Sequence, residues 1–445
     1  MLAAESPVLA LHLPAHGRGR ALPPPLRRLL RRPPGSWDLP ELPALGGPLE
    51  PHGAVAAAQQ RAADLLGAER CWFGVNGASG MLQVALLALA APGQRVLLPR
   101  NLHRSLLHGC VLGGLEPVLF DTSSDPLTGI RLPPTPVDLV RVLERCGPVA
   151  ALVLVDPTYH GLAADLAALV GLAHRHGLPV LVDQAHGRGE ALAAGADLVV
   201  LSPQKAGVGL AQGAVLLAQG PRVTAEAVER ALLWLQTSSP SALLLAASAA
   251  AIDWQCAPAG ARRHRRALAV ANGLRGVLHH RNLPLLTSQD PLRLTVVTAA
   301  MGIAGPVADA WLMERGVVAE LPEPGALTFC LGLAPPAGLR HQLPRQLLAL
   351  QHALADRPLP PFQPPPLPLV AAPELPLHQA WRAPCQHLPL AQAAGQIVAR
   401  PVCPYPPGIP LLIPGERLDP ARLAWLERQR QLWPDQVADT VAVVV

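Results

Sequence analysis

Short apolar runs rich in Val and Leu alternate with stretches of helical spacing from about residue 54 to residue 220. The pattern predicts a helix over 54–66, a strand over 71–75, a turn over 76–80 and an apolar helix to about 91. Strands are expected over 95–99, 117–120, 150–155, 179–183, 197–202 and 214–217. Helices over 102–113, 137–146 and 164–176 fall between them. The apolar runs lack the alternation of a half-exposed strand, so both faces must be buried. That requires a mostly parallel seven-stranded sheet under helices, an α/β architecture.

A helix over 224–251 is broken at Thr237-Ser238-Ser239-Pro240, and a basic helical stretch covers 261–278. Residues 283–355 read as a smaller α+β unit. Its strands lie near 292–298, 317–320 and 327–331, and its helix near 306–315. Prolines crowd the first 50 residues and 357–368. The chain therefore divides into an N-terminal arm (1–50), a major α/β domain (51–278), a small α+β domain (279–356), a linker (357–368) and a C-terminal module (369–445).

Composition narrows the function. Half of the 445 residues are apolar and 15% are charged, which excludes general disorder. No apolar run reaches the roughly 18–20 residues that span a bilayer, and 242–252 reads as a core helix. The N-terminus, with acidic Glu5, is no signal peptide. Seven cysteines without a C-x-x-C pair suit a reducing cytoplasm. The net charge of +5 is spread out, and the basic clusters at 27–32 and 262–266 lack interleaved aromatics, so no nucleic-acid partner is expected. His174, His176, His279 and His280 read as helix-end groups, and no cluster has metal-ligand spacing.

Of the 36 Lys and Arg residues, one is lysine, Lys205. In a chain rich in Ala, Arg, Pro, Gly and Leu, arginine replaces lysine wherever charge suffices. It cannot replace an amine that must form a Schiff base. Chance survival is the alternative. The only two tyrosines, Tyr159 and Tyr405, also lie in unusual local sequences.

Asp183 ends a predicted strand, and Lys205 follows another in Ser202-Pro203-Gln204-Lys205. Carboxyl ends of parallel strands line ligand crevices. A lysine and an aspartate at two such ends fit pyridoxal phosphate, whose aldehyde takes the amine and whose ring nitrogen needs a carboxylate. Asp183 alone could equally be a strand-end or capping residue. Gly77-Ala78-Ser79-Gly80 lies between strand and helix, where backbone N–H groups can cradle a phosphate, although ordinary tight turns look alike. His103 could stack on a flat ring or simply cap a helix.

Five motifs in order carry a resemblance: Val75-Asn-Gly-Ala-Ser79, Pro99-Arg-Asn-Leu-His-Arg-Ser105, Asp156-Pro-Thr-Tyr-His-Gly161, Asp183-Gln-Ala-His186 and Ser202-Pro-Gln-Lys205. To these add Leu235-Gln-Thr-Ser-Ser-Pro-Ser241, Asp290-Pro-Leu-Arg293 and Tyr405-Pro-Pro-Gly-Ile-Pro-Leu-Leu-Ile-Pro-Gly-Glu416. Leu11-His-Leu-Pro-Ala-His-Gly17 and Asp38-Leu-Pro-Glu-Leu-Pro43 fit as well. Over nearly its whole length the chain resembles the ornithine/lysine/arginine decarboxylases, in their short bacterial form. These are pyridoxal-phosphate enzymes of the aspartate-aminotransferase fold (fold type I).

The resemblance implies decarboxylation of a basic L-amino acid to its amine and carbon dioxide, with Lys205 as the Schiff-base lysine and Asp183 as partner of the pyridinium. It implies His103 stacked on the ring and His186 near the cofactor's 3-oxygen. Gly77, Ala78, Ser79 and Ser202 would hold the phosphate. It implies a homodimer in which Ser238 and Ser239 reach the neighbouring subunit's phosphate. Glu320, at the family's Val-Glu position, is the nominee for the basic side chain.

Some positions depart from the family. Gln204 replaces the usual histidine before the lysine, Ala78 a second hydroxyl residue, and Gln184 a common glutamate. Ala15 stands for glycine and Gly17 for lysine. Three alternatives stay open: another pyridoxal reaction such as transamination, giving no stoichiometric carbon dioxide; a cofactor-binding but inactive paralogue; and a chiefly structural assembly subunit. The last would bind no cofactor.

Overall fold

The computed structural model describes residues 8–405 and 408–445. Residues 1–7, with Glu5, and Pro406 and Pro407 of the Tyr405 motif lie outside the described residues. An eight-stranded sheet is the centre of the chain. Its strands run, edge to edge, Val370–Ala371, Glu116–Phe120, Arg95–Pro99, Ala151–Val155, Val180–Gln184, Leu198–Leu201, Ala214–Ala218 and Arg70–Gly74. The five from Glu116–Phe120 to Leu198–Leu201 are parallel. Ala214–Ala218 is antiparallel to both of its neighbours. Two reversals restore direction, so Arg70–Gly74 points the same way as the five.

Seven of these strands sit on the apolar runs of the sequence. The eighth, Val370–Ala371, pairs antiparallel with Glu116–Phe120 and corrects the expected count. Two residues flanked by prolines are too short to carry a pattern.

Side chains alternate between the two faces, as strand geometry requires. Leu97, Leu152, Leu154, Val180, Val182 and Val199 pack on one face against the helices Ala54–Leu66, Pro136–Leu143 and Leu166–Arg175. Val96, Leu98, Val153, Leu181, Leu198 and Val200 pack on the other against Gly77–Leu89, Ser105–Gly113 and Ala225–Leu235. Burial on both sides is the physical content of the unbroken Val/Leu runs.

The strands Leu321–Glu323, Ala326–Cys330 and Arg293–Val296 form a separate antiparallel sheet with its own core. Leu339–Leu354 packs there through Leu339, Leu343, Leu347 and Leu350. Pro344 inside this helix masks its period in the sequence. Residues 8–50 are more than an arm. Leu9–Ala10 pairs with Val317–Val318, and Leu9 and Leu11 are fully buried in the small core. The helix Pro24–Leu30 starts on prolines, which its first turn tolerates, and buries Leu26.

The C-terminal part has a third core, built on the antiparallel pair of Cys385–Pro389 with Thr440–Val444 and on the helix Pro420–Leu432. Among the described residues no single helix is long and apolar enough to cross a membrane.

Candidate active site

Parallel strands deliver their carboxyl ends to one edge of the sheet, and every residue of interest in the large sheet lies there. Register aligns Asp183 with Val200 and Gln184 with Leu201 on the next strand. Ser202 and the one-turn helix Pro203–Ala206 follow at once and turn Lys205 back over that edge. The turn is tight: a Cβ on Gly209 would stand 2.7 Å from Pro203 Cβ. Ser202 is buried.

Lys205 Nζ lies 3.3 Å from Nε2 of His186, and Nη2 of Arg293 lies 3.3 Å from Nδ1 of the same ring. Burial, then the charges of Lys205, Arg293, His160 and His103, hold His186 well below its usual 6.5, so the ring is neutral. Arginine only donates, so Nδ1 must accept and the ring proton belongs on Nε2, a tautomer assigned from its neighbours. Nε2–H then faces Nζ and disfavours the charged ammonium there. Burial lowers Lys205 from 10.5 in the same sense; Asp183 opposes it, and Arg293 assists. Arg293 also donates to the Lys205 carbonyl at 3.1 Å.

Asp183 is almost fully buried. Among the described residues the one hydrogen bond to its carboxylate comes from the N–H of Ala185, at 3.1 Å. Burial raises it from 3.8, and Lys205 and that N–H oppose the rise. A carboxylate has about four acceptor positions. This one therefore has room for a donor beside the lysine.

The next strand end brings in residues for which the sequence suggested no role. The Tyr159 ring is 4.5 Å from His186, centroid to centroid. Its hydroxyl donates to Oε1 of Glu320, while Oε2 accepts from the N–H of Leu13 at 2.7 Å. Burial and the Glu320 charge raise Tyr159 far above 10, so it stays protonated. His160 Nε2 bonds to Glu323 at 2.6 Å. The N-terminal segment closes over the lysine turn, with Ala15 N–H donating to the Gln204 carbonyl at 2.8 Å. Ala15, Lys205, His186 and Arg293 line a cavity of about 390 Å³. Arg293 was visible only as part of a motif, and Tyr159 only as a rarity within another.

His103 joins this group electrostatically, not by a hydrogen bond. Its Nδ1 contacts Ser105 Oγ at 2.8 Å. Surrounding packing first, then Lys205, Arg104 and His108, push it down to about 4. Asn76–Ser79 reaches the same edge because Arg70–Gly74 shares the direction of the parallel strands. The N–H of Gly77 donates to the carbonyl of Gln212, in the loop after Lys205, at 2.7 Å. Gly77 has φ +70°, and a Cβ there would meet nothing within 4 Å. The helix Gly77–Leu89 has no side-chain cap at its N-terminus, the end of a helix suited to an anion. Ser238 and Ser239 are exposed beyond the helix Ala225–Leu235 and are not drawn into this cluster.

The donor set fits pyridoxal phosphate. A buried amine whose charged form is disfavoured by burial, a buried carboxylate with free acceptor positions and an uncapped helix start share one sheet edge. Fold and site together define a fold-type I pyridoxal-phosphate enzyme. Family comparison is more specific. Residues 12–289 match "Orn/Lys/Arg decarboxylase, major domain", and residues 364–432 match "Orn/Lys/Arg decarboxylase, C-terminal domain". The chain belongs to the Orn/Lys/Arg decarboxylase family and decarboxylates basic amino acids with pyridoxal phosphate as cofactor. It is 30% identical to an arginine decarboxylase of Bacillus subtilis (strain 168), across 95% of this chain and 91% of that one. Lysine decarboxylase A from Pseudomonas aeruginosa superimposes with a TM-score of 0.76 at 18% identity, covering 96% of this chain and 82% of that one. The constitutive lysine decarboxylase of E. coli gives 0.74 at 20%, covering 90% and 74%.

Proposed function

We propose that the substrate is arginine and that Lys205 is the residue to which the cofactor is joined. The observation that carries the site is the Lys205–His186–Arg293 line, in which burial and the Arg293 charge lower the chain's one lysine toward its nucleophilic form. Relatives named arginine decarboxylases, 29–30% identical over at least 92% of the chain, support the substrate.

Pyridoxal phosphate, when bound, supplies a ring that takes up the electron pair left as carbon dioxide departs. Asp183 holds the proton on the ring nitrogen. His103 covers the ring and, being neutral, brings no charge against it. Gly77, Ala78, Ser79 and Ser202 hold the phosphate. His186 lies beside the ring and, through Nε2, disfavours the charged form of the Lys205 amine whenever that amine is free. Lys205 returns a proton to the substrate carbon. Glu320 faces the basic side chain, its position set by Tyr159 and Leu13.

A homodimer is part of this reading. Leu233 and Trp234, adjacent and about two-thirds exposed, precede Ser238 and Ser239 and suit a covered surface. The cytoplasm is the compartment that suits seven unpaired cysteines. The five-part division of the chain is kept in this reading, with the small core also taking in Leu9 and Leu11 of the arm and Ala267, Ala271, Leu274 and Leu278 of the major domain.

Carbon dioxide release from arginine, lysine and ornithine tests the proposal. The highest kcat/KM is expected for arginine, with none detectable for Lys205→Ala. Faster release from lysine or ornithine would refute the substrate, and a Lys205→Ala enzyme that retains cofactor and activity would refute the site. Glu320→Gln with selectivity among basic and neutral substrates intact would remove that residue from recognition.

A further inference from the structure

Among the described residues Arg100 is the largest fully buried side chain, and it follows directly on the strand Arg95–Pro99. Its guanidinium is held by a residue 316 positions away. Nη2 donates to Oε1 of Glu416 at 2.7 Å and Nη1 to Oε2 at 3.2 Å, a two-pronged pairing. Nη1 also donates to the carbonyl of Leu411 at 3.1 Å. Glu416 is fixed in turn. Its Oε2 accepts from the N–H of Ile413 at 2.8 Å, and Arg422 stands 3.5 Å from Oε1.

Stability alone does not explain such a pair. Desolvating two charges cancels most of their attraction, and an apolar pair of similar volume would hold the two parts as well. What the charged fork adds is direction, because its planar donors accept one geometry.

Arg100 opens the five-residue segment that carries His103 to the helix Ser105–Gly113. The segment's start is tied to the sheet by Arg100 N–H to the Phe120 carbonyl, 2.9 Å. The same C-terminal part of the chain also grips the helix beyond. Trp381 meets His108 edge-on at 5.5 Å, and Leu377 is buried in the core shared with Leu106 and Leu107. His103 sits between these two grips.

We propose that the C-terminal module is a brace for the active site: Glu416, through Arg100, sets where His103 lies against the cofactor. Arg100 and Glu416 are positioning residues. The inference rests on the reading of His103 as the residue that covers the ring.

The test uses the holoenzyme with Arg100→Lys, which keeps charge but loses the fork, and with the apolar double variant Arg100→Met/Glu416→Leu, which leaves no unpaired charge if the single variant folds poorly. Amide hydrogen exchange over 102–107 and the cofactor dissociation constant are read in each, with and without His103→Ala. Exchange is expected to rise at least about tenfold, and cofactor binding to weaken about tenfold with His103 present but less than about twofold without it. Wild-type exchange over 102–107, or an equal cofactor loss in both backgrounds, overturns the proposal. If His103→Ala alone binds cofactor like wild type, the reading of His103 has failed. The brace is then judged separately, because exchange does not depend on that ring.

Discussion

Lys205 and His186 meet at 3.3 Å, and Arg293 on the far side of the imidazole decides which nitrogen carries the proton. The consequence is measurable in the cofactor-free protein. Capture of added pyridoxal phosphate, followed by its visible absorbance, requires the uncharged amine. Its rate should therefore rise with pH around a midpoint below 10.5, because burial lowers Lys205. The Arg293 charge lowers it too, so Arg293→Met should move the midpoint up. Asp183 opposes both, so Asp183→Asn should move it down. Midpoints unmoved in both variants would mean that these charges do not govern the lysine.

His103 is pushed down to about 4, so it is neutral throughout the working range of pH. Its role in covering the ring then needs a flat face, not a charge. His103→Phe should bind cofactor within about threefold of wild type, and His103→Ala about tenfold more weakly, the scale of one aromatic contact. Equilibrium dialysis of the cofactor distinguishes the two. A phenylalanine variant as weak as the alanine one would show that the ring nitrogen, bonded to Ser105, is what counts.

The parts legible in sequence were those with dense local signals. Unbroken Val/Leu runs gave seven strands within a few residues, because burial on both faces admits almost nothing else. Lys205 stood out because arginine bias had removed every other lysine. The missed parts depend on distant partners. Val370–Ala371 is a strand only because the edge of Glu116–Phe120 needs one, and Leu9–Ala10 only because Val317–Val318 offers a ladder. Nothing near Arg100 announces Glu416, and nothing near Arg293 announces His186. Side chains that act through three-dimensional neighbours leave no period to read.

The two kinds of ion pair in this chain should respond very differently to the same change. Glu416→Gln leaves the Arg100 guanidinium buried beside carbonyl oxygens with no opposite charge from that residue, which costs about 3–5 kcal/mol. Asp253→Asn removes the partner of Arg61, a pair about half exposed to water, and should cost no more than about 1 kcal/mol. Urea unfolding of both variants at neutral pH gives the comparison. Equal losses would mean that the Arg100 site admits water or finds another partner.

Asp156, which follows the strand Ala151–Val155, is the carboxyl whose burial should show in the pH dependence of stability. Desolvation raises it from 3.8 to about 6, even though it accepts the N–H of Ala164 at 2.7 Å. Between about pH 4 and 6 the folded protein holds this proton and the unfolded chain releases it. Stability from this group is therefore greatest below about pH 4, falls as pH rises to about 6, and is flat above. A shift of about two units limits the loss to roughly 3 kcal/mol. Asp156→Asn keeps an oxygen for Ala164 and has nothing to ionise. Relative to wild type it should gain up to that amount between pH 4 and pH 7, read from paired urea midpoints at the two values. Parallel midpoints would show that Asp156 is ionised in the folded protein at pH 4, and that the cavity beside Lys205 hydrates it.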